Sequence, residues 1–352
     1  MKRWITGIAA LLFAACAFAG GSKDAAEPMW HSDLESALEA ARHDKKNVFF
    51  AVTGDDPANR SQVLLYSIFN DPAFTDAMAK DYVLANIDFS TLHIASVELP
   101  ASATEEQQEQ EQKQAVLMQD MFQKNYEAAA LYSVSEVPAV LILSSEGYVI
   151  ASVADDAAAA DAESYLALLS SQQSAIDSGA ALVEAVRAAK GADKLRAVDA
   201  LYTATPAAYQ YVLAGLVEEA LTLDKKNETG LLGKYTLQNA YYTAMEVFAG
   251  GDAAAAAQCF ADAAAQDVLT PAEKQEAYYL AAYVLVQSNP ETPDQVLAYL
   301  EQAHDADPEN ENAQLIQQTI DQLREVQTLM EAERAAAAAG SEAGEEAPVS
   351  DE

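Results

Sequence analysis

The fold of the first half of the chain is decided by the stretch Val48-Phe49-Phe50-Ala51-Val52-Thr53-Gly54-Asp55-Asp56-Pro57-Ala58-Asn59-Arg60. Its first six residues are apolar or β-branched, which predicts a fully buried strand. A Gly-Asp-Asp-Pro turn follows, and a helix is expected to begin near Asn59 or Ser61. Free backbone N–H groups point into the gap where a strand runs into a helix, so this junction is a favoured place for a site. The stretch contains no cysteine and therefore lacks the nucleophile that a helix N-terminus activates.

The segments around this strand predict an alternation of strands and helices. A helix from about Asp33 to His43 should begin at Ser32 as N-cap, with Glu35 completing a capping box. Further strands are predicted at residues 82–89, 137–143 and 148–153, and further helices at about 61–68, 72–80 and 157–169. The order β-α-β-α-β-β-α after the first helix predicts an α/β domain with a central mixed sheet of about four strands flanked by helices. This domain should span residues 28–172.

A long helix is predicted between the second and third strands, after a loop at residues 90–104. Its first turns, Glu105 to Lys113, are almost wholly Glu and Gln and should project into water. From Ala115 onward the helix should dock through four apolar side chains: Val116, Leu117, Met121 and Phe122.

Several pieces of this half resemble the thioredoxin superfamily, particularly its exported branch. They are Trp30 with Asp33-Leu34-Glu35-Ser36-Ala37-Leu38-Glu39-Ala40-Ala41, then Phe69-Asn70-Asp71-Pro72, Val83 to Asp88, and Leu131 to Leu143 with Glu146-Gly147. The resemblance implies a thioredoxin-like fold, a cis Val137–Pro138 bond, and a Pro138 that faces the loop from Asp55 to Arg60. The two cysteines of the family map to about Pro57 and Arg60, so the resemblance also implies a domain without the usual redox chemistry.

From about Ser174 the pattern changes to helical signals rich in Ala, Leu, Tyr and Glu. Parts of this half resemble tetratricopeptide repeats. The copies are residues 238–263 with small Ala244, residues 273–310 with Ala282, and a degenerate earlier copy at 193–227, followed by a solvating cap helix from Glu311 to Met330. We therefore predict an all-α, TPR-like helical repeat domain over residues 174–333.

Two further features of this half bear on its use. Six tyrosines are expected to divide between the core and a groove that takes peptides: Tyr235, Tyr241, Tyr242, Tyr278, Tyr279 and Tyr283. Residues 334–352 have no core-forming side chains and are predicted to be a disordered acidic tail.

The N-terminus has the pattern of an export signal over residues 1–19. Lys2 and Arg3 precede an apolar run, and Ala17-Phe18-Ala19 fits an Ala-x-Ala cleavage site. A competing interpretation is a lipoprotein signal that ends before Cys16, because Leu12-Phe13-Ala14-Ala15-Cys16 resembles a loose lipobox. Under either interpretation the protein is exported, periplasmic or associated with the cell envelope, and contacts the membrane only through such a lipid anchor.

Charge and cysteine content exclude several classes of function. A formal charge of −35 over 352 residues opposes binding to nucleic acid or to anionic lipid headgroups. Of the two cysteines, Cys16 is removed or lipidated, which leaves Cys259 alone and excludes an intramolecular disulfide. The four histidines have no metal-ligand spacing, and we expect neither a metal nor a cofactor.

Candidate binding residues are confined to the altered thioredoxin site. They are Asp55, Asp56, Pro57, Asn59, Arg60, Val137 and Pro138, with no catalytic residue among them. Asp55 and Asp56, together with Asn59, are a candidate carboxylate pair for metal binding or acid/base work, although Asp and Asn also serve as turn and cap residues.

These observations predict an exported, redox-inactive protein that binds a protein or peptide partner as a scaffold. Two alternatives remain open: thiol-disulfide chemistry through Cys259, and a chaperone-like role in which the Pro138 loop holds extended chains.

Overall fold

The structure is a computed structural model, and it describes residues 30–90, 105–288 and 293–342. The predicted export signal with Cys16, residues 91–104 of the predicted loop and residues 343–352 of the predicted tail lie outside these ranges. Contacts divide the chain into two compact units, with the division between Ile176 and Asp177 and with Leu131–Ser133 assigned to the second unit. Within the described ranges, no helix is both long enough and apolar enough to cross a membrane.

The first unit is built on the predicted mixed sheet. Its strands are β1 (Asn47–Thr53), β2 (Tyr82–Asp88), β3 (Ala139–Leu143) and β4 (Val149–Ser152). They lie in the order β2-β1-β3-β4, with β1 parallel to β2, antiparallel to β3, and β3 antiparallel to β4. Six of the seven residues of β1 are buried, as expected for a central strand covered on both faces.

Helices connect these strands in the predicted order. They are α1 (Leu34–Asp44), α2 (Arg60–Val63) continued by a π-helix (Leu64–Phe69), α3 (Pro72–Met78), α4 (Glu105–Leu131) and α5 (Ala162–Ser171). One side of the core is a cluster of rings in which Trp30 stacks on Phe69 at 4.7 Å between centroids, and Phe49, Phe74 and Tyr165 surround them. The α/β prediction for this half is confirmed.

Two predicted helix starts were wrong. Asp33, not Ser32, is the N-cap of α1, since its carboxylate accepts a 2.8 Å hydrogen bond from the backbone of Ser36. The helix expected from 157 begins at Ala162, because Asp161 and Ser164 form a reciprocal capping box there. In both cases a carboxylate close to the predicted start satisfies the free N–H groups.

The predicted docking of α4 was partly wrong. Val116 and Leu117 remain 60% and 68% exposed. The helix is anchored further along, where Phe122 meets Phe89 edge-on and the Asn125 side chain donates a 3.0 Å hydrogen bond to the carbonyl of Ser32. The spacing of apolar residues therefore shows which side chains share a face of α4. It does not show how much of that face is covered by the rest of the domain.

The second unit is all-helical, as predicted. After α6 (Gln173–Ala188), the helices are α7 (Gly191–Ala204), α8 (Ala214–Leu223), α9 (Leu232–Ala249), α10 (Ala253–Ala264), α11 (Pro271–Ser288), α12 (Pro293–Ala306) and α13 (Ala313–Glu342), with a 3₁₀ segment Ala207–Leu213 before α8. From α9 to α13 each helix packs against the next. The core between them is rich in alanine, and the equivalent residues Ala244 and Ala282 are both buried. Small side chains at such positions allow close approach of neighbouring helices.

The predicted tail also needs correction. Helix α13 continues to Glu342, so residues 334–342, expected to be disordered, are helical. Alanine has the highest helix propensity, and a segment that lacks core-forming side chains can still extend an existing helix.

Candidate functional site

The turn after β1 is closed by its own side chains. The carboxylate of Asp56 accepts hydrogen bonds from the backbone N–H groups of Ala58, Arg60 and Ser61 at 3.1, 2.8 and 2.7 Å. The hydroxyl of Ser61 in turn accepts a 3.2 Å hydrogen bond from the backbone of Gly54. Asp56 thus occupies the helix N-terminus at which the sequence suggested a ligand.

These hydrogen bonds also set the ionisation of Asp56. Partial burial favours the neutral acid, but the N–H groups of Ser61, Arg60 and Ala58 stabilise the carboxylate more strongly and hold the pKa of Asp56 below its ordinary value. Asp56 therefore serves as the hydrogen-bond acceptor of this turn, beside the exposed Asp55.

Arg60 lies at the position to which the resemblance assigns the second cysteine. Its guanidinium donates through Nε and Nη2 to the two oxygens of Asp155 at 2.8 Å each, and Nη2 also donates to the carbonyl of Asp156 at 3.0 Å. The Asp155 carboxylate raises the pKa of Arg60. This bidentate pair ties α2 to the segment after β4, and Arg60 is buried by it.

Tyr165 of α5 interacts electrostatically with both Arg60 and Asp155. Its hydroxyl is buried and has no hydrogen-bond partner among the described residues. Burial and the charge of Asp155 raise the pKa of Tyr165. Sequence reasoning missed Asp155 and Tyr165, because nothing in their local spacing marks them as neighbours of Arg60.

The loop before β3 lies against this turn. The Val137–Pro138 bond is cis, as the resemblance implied. A Cβ placed on Gly54 would lie 3.4 Å from Cγ2 of Val137, so the Val137 side chain lies directly against the turn at Gly54. The remaining predicted residues, Asp55, Pro57 and Asn59, are exposed, and Asn59 has a left-handed backbone with φ of 54°.

Cys259 lies in the second unit, at the wall of a cavity of about 310 Å³ between α8, α9 and α10. Its thiol donates a 3.3 Å hydrogen bond to the carbonyl of Ala255. Burial of the thiol, and to a smaller extent the negative charge of Asp262, raise the pKa of Cys259. A reactive thiol needs a lowered pKa.

No group of three or more His, Cys, Asp or Glu side chains within the described parts of the chain is arranged to hold a metal ion.

The six tyrosines of the helical unit differ in burial, and Tyr278 is partly buried against the core. Tyr235 and Tyr242 are buried, and their hydroxyls bond to Asp199 at 3.1 Å and to Tyr202 at 3.0 Å. Tyr241, Tyr279 and Tyr283 are exposed. The exposed tyrosines are therefore free to contact another molecule.

Exposed apolar side chains form two matching rows, which we call the α9–α11 face: Tyr241, Met245 and Phe248 on α9, and Tyr279, Tyr283 and Val286 on α11. Within each row the spacing of four and then three residues places the side chains on one side of the helix. The same sequence interval separates Tyr241 from Tyr279, Met245 from Tyr283 and Phe248 from Val286. Helices α9 and α11 are in contact with each other, and the members of the two rows are between 37% and 52% exposed.

Two family models match separate parts of the chain. Residues 29–145 match a family described as thioredoxin-like, and residues 231–328 match a family described as an uncharacterised protein C-terminal domain. Together with the sheet order and its flanking helices, the first match identifies the N-terminal half as a thioredoxin-like domain, followed by a helical domain. The second match begins just before α9 and includes the whole α9–α11 face.

A relative from Treponema pallidum (strain Nichols), described as an uncharacterized protein, is 32% identical over 136 residues. The match covers 38% of this chain and 44% of the relative, so the chain spans less than half of the relative's length. A solved structure described as DsbH oxidoreductase is 21% identical, with 45% of this chain and 95% of that chain covered and a TM-score of 0.30. A score this low carries no inference about activity.

Proposed function

We propose that the protein is an exported, non-catalytic binding module, in which a thioredoxin-like domain without thiol chemistry accompanies a TPR-like helical domain that binds a protein partner. The α9–α11 face is the observation that carries this proposal. Monomeric proteins rarely leave contiguous apolar patches in water without a function, and tyrosine offers contact area at a small entropic cost. Its members come from two helices in equivalent positions, which favours a built surface over scattered exposed residues.

The state of the thioredoxin-like site supports a role without thiol chemistry. Arg60 is committed to Asp155, and the N–H groups at the start of α2 are committed to Asp56. The one cysteine of the described residues, Cys259, has a pKa shifted away from reactivity. The export proposal is supported by the N-terminal pattern of Lys2, Arg3 and Ala17-Phe18-Ala19.

The test compares partner capture by full-length variants. Met245→Ala with Tyr283→Ala removes one side chain from each row of the α9–α11 face. Leu315→Ala with Leu329→Ala is the matched control, because both leucines are exposed apolar residues of α13 in the same unit. Each protein is immobilised, exposed to an extract of cells that produce it, and the retained proteins are quantified by mass spectrometry.

We expect the first pair to lose specific partners that the control pair retains, with unchanged far-UV circular dichroism for both. An identical partner set for wild type and both variants would overturn the proposal.

A further inference from the structure

The surroundings of the α9–α11 face are almost free of positive charge. Between Leu232 and Met330 the sequence has three basic residues other than histidine: Lys234, Lys274 and Arg324. Lys234 donates to Asp199 at 2.6 Å, and Arg324 donates to Glu301 at 2.6 Å. Two of the three cations are therefore already neutralised by carboxylates.

Carboxylates lie on the face itself and at its edge. Glu276 precedes Tyr279 by three residues on α11, and it is exposed on the same side of the helix. Glu246 adjoins Met245 on α9, is exposed, and accepts a 2.8 Å hydrogen bond from the hydroxyl of Tyr211. An occupant that brought further negative charge would be repelled, while a cation would find acceptors.

The electrostatic surroundings of Glu276 also favour a cation at this face. Although the Glu276 side chain reaches water, the groups packed around it partly desolvate its carboxylate; this desolvation, and then the neighbouring carboxylate of Glu273, raise the pKa of Glu276. A carboxylate held next to another one is stabilised by a cation placed against it.

We propose that the occupant of the α9–α11 face is a cationic amphipathic helix, whose apolar side chains pack between the two rows and whose lysines or arginines meet Glu276 and Glu246. The spacing of four and then three residues within each row matches the spacing at which an amphipathic helix places its apolar anchors. The proposal rests on the proposed function, because it names the partner class for the same face. A second copy of the chain does not fit, since each copy carries a formal charge of −35.

The test uses three designed peptides of about 18 residues, long enough to form helix in the bound state. One is a Leu/Lys amphipathic helix, the second replaces every Lys by Glu, and the third has the composition of the first in an order without an apolar face. Binding to the full-length protein is followed by fluorescence anisotropy of the labelled peptides and by calorimetry.

We expect the Leu/Lys helix to bind, the Leu/Glu helix not to bind, and the scrambled peptide to bind at least about tenfold more weakly than the first. Tyr283→Ala should weaken binding about tenfold, and Leu315→Ala should leave it unchanged. Glu276→Gln should weaken binding and reduce its dependence on salt, while Glu325→Gln, also exposed but on α13, should alter neither.

Three outcomes would overturn the inference, and they separate it from the proposed function. In the first, the Leu/Lys and Leu/Glu helices bind equally well and Tyr283→Ala abolishes the binding of both. The face would then still be a binding site, but its partner would not be cationic. Binding of the Leu/Lys helix that Tyr283→Ala and Glu276→Gln leave unchanged would place that peptide elsewhere on the acidic surface. Absence of binding by all three peptides up to about 1 mM would count against the face as a binding site and so against both proposals.

Discussion

The guanidinium of Arg60 forms a bidentate ion pair with the carboxylate of Asp155, although the two residues are 95 positions apart in the chain. The pair joins the start of α2 to the segment after β4, at the position to which a cysteine would be assigned by resemblance. The Arg60 side chain is 8% exposed and that of Asp155 is 31% exposed. The arginine therefore depends on its partner more than the aspartate does.

This asymmetry predicts unequal costs for the two single substitutions. Asp155→Asn leaves a buried guanidinium without a counter-charge and should lower the free energy of unfolding by about 2–3 kcal/mol. Arg60→Met leaves a carboxylate that water can reach, so it should cost less. The measurement is urea unfolding followed by the fluorescence of Trp30, which lies in the ring cluster of this domain.

The double variant should show a coupling energy of about 1–3 kcal/mol between the two positions. The exposed pair Arg196 and Asp193 is the control, and the equivalent substitutions there should couple by no more than about 0.5 kcal/mol. Strict additivity at Arg60 and Asp155 would contradict the structural role given to the pair.

Asp56 is expected to stabilise the turn while Asp55 is not. Replacing Asp56 by Ala removes the acceptor for three backbone N–H groups and should cost about 1–2 kcal/mol. Asp55→Ala, at an exposed position in the same turn, should change stability by no more than about 0.5 kcal/mol. Equal effects of the two substitutions would show that the hydrogen bonds to Asp56 contribute nothing.

The same carboxylate gives a pH dependence with a defined sign. Folding lowers the pKa of Asp56 from its ordinary value of 3.8, so its contribution to stability is present above that value and is lost as the pH falls through the folded pKa. The stability difference between wild type and Asp56→Asn should therefore shrink between about pH 6 and about pH 2. A difference that stays constant over this range would contradict the assignment.

Cys259 should react slowly with thiol reagents. Burial and Asp262 raise the pKa of Cys259 above its ordinary value of 9.0, so the reactive thiolate is scarce near neutral pH. Stopped-flow measurement of iodoacetamide alkylation as a function of pH should give a midpoint above 9.0, with Cys259→Ser as the blank. A midpoint near neutrality, together with insulin-reductase activity that Cys259→Ser abolishes, would favour the thiol-disulfide alternative.

The mature N-terminus distinguishes two modes of export. Cleavage after Ala19 yields a protein that begins at Gly20, whereas the lipoprotein alternative yields a lipid-modified Cys16. Intact-mass spectrometry of protein from the producing cells separates them, since acyl chains add mass and Gly20 does not. Cys16→Ser should change the mass and membrane association only under the second alternative. An unprocessed Met1 would contradict both.

Much of the fold could be predicted from local patterns. The continuous apolar and β-branched run at β1 predicts a strand covered on both faces, and such a strand implies helices on either side of a sheet. The helix predicted from residue 72 begins there, with Asp71 as its N-cap, and Asp252 after Gly251 caps α10; both starts depend on residues close together in the chain. The small residues Ala244 and Ala282 likewise indicated where helices approach closely.

Less of the candidate site could be predicted from local sequence patterns. The resemblance placed Pro57, Arg60 and the cis Val137–Pro138 bond at one turn, but the sequence does not show that Asp56 caps α2. Asp155 and Tyr165 carry no local signal, since their relation to Arg60 arises only when the segment after β4 returns to the start of α2.

By itself, the sequence determined the order of strands and helices, the change to an all-helical second half and the lack of a thiol at the β1 turn. These follow from periodicity, capping and residue identity, which act over a few residues. Tertiary structure decided that Arg60 pairs with Asp155, that Val116 and Leu117 of α4 stay exposed, and which tyrosines face water. Spacing along a helix tells which side chains share a face, but only packing decides whether another element covers that face.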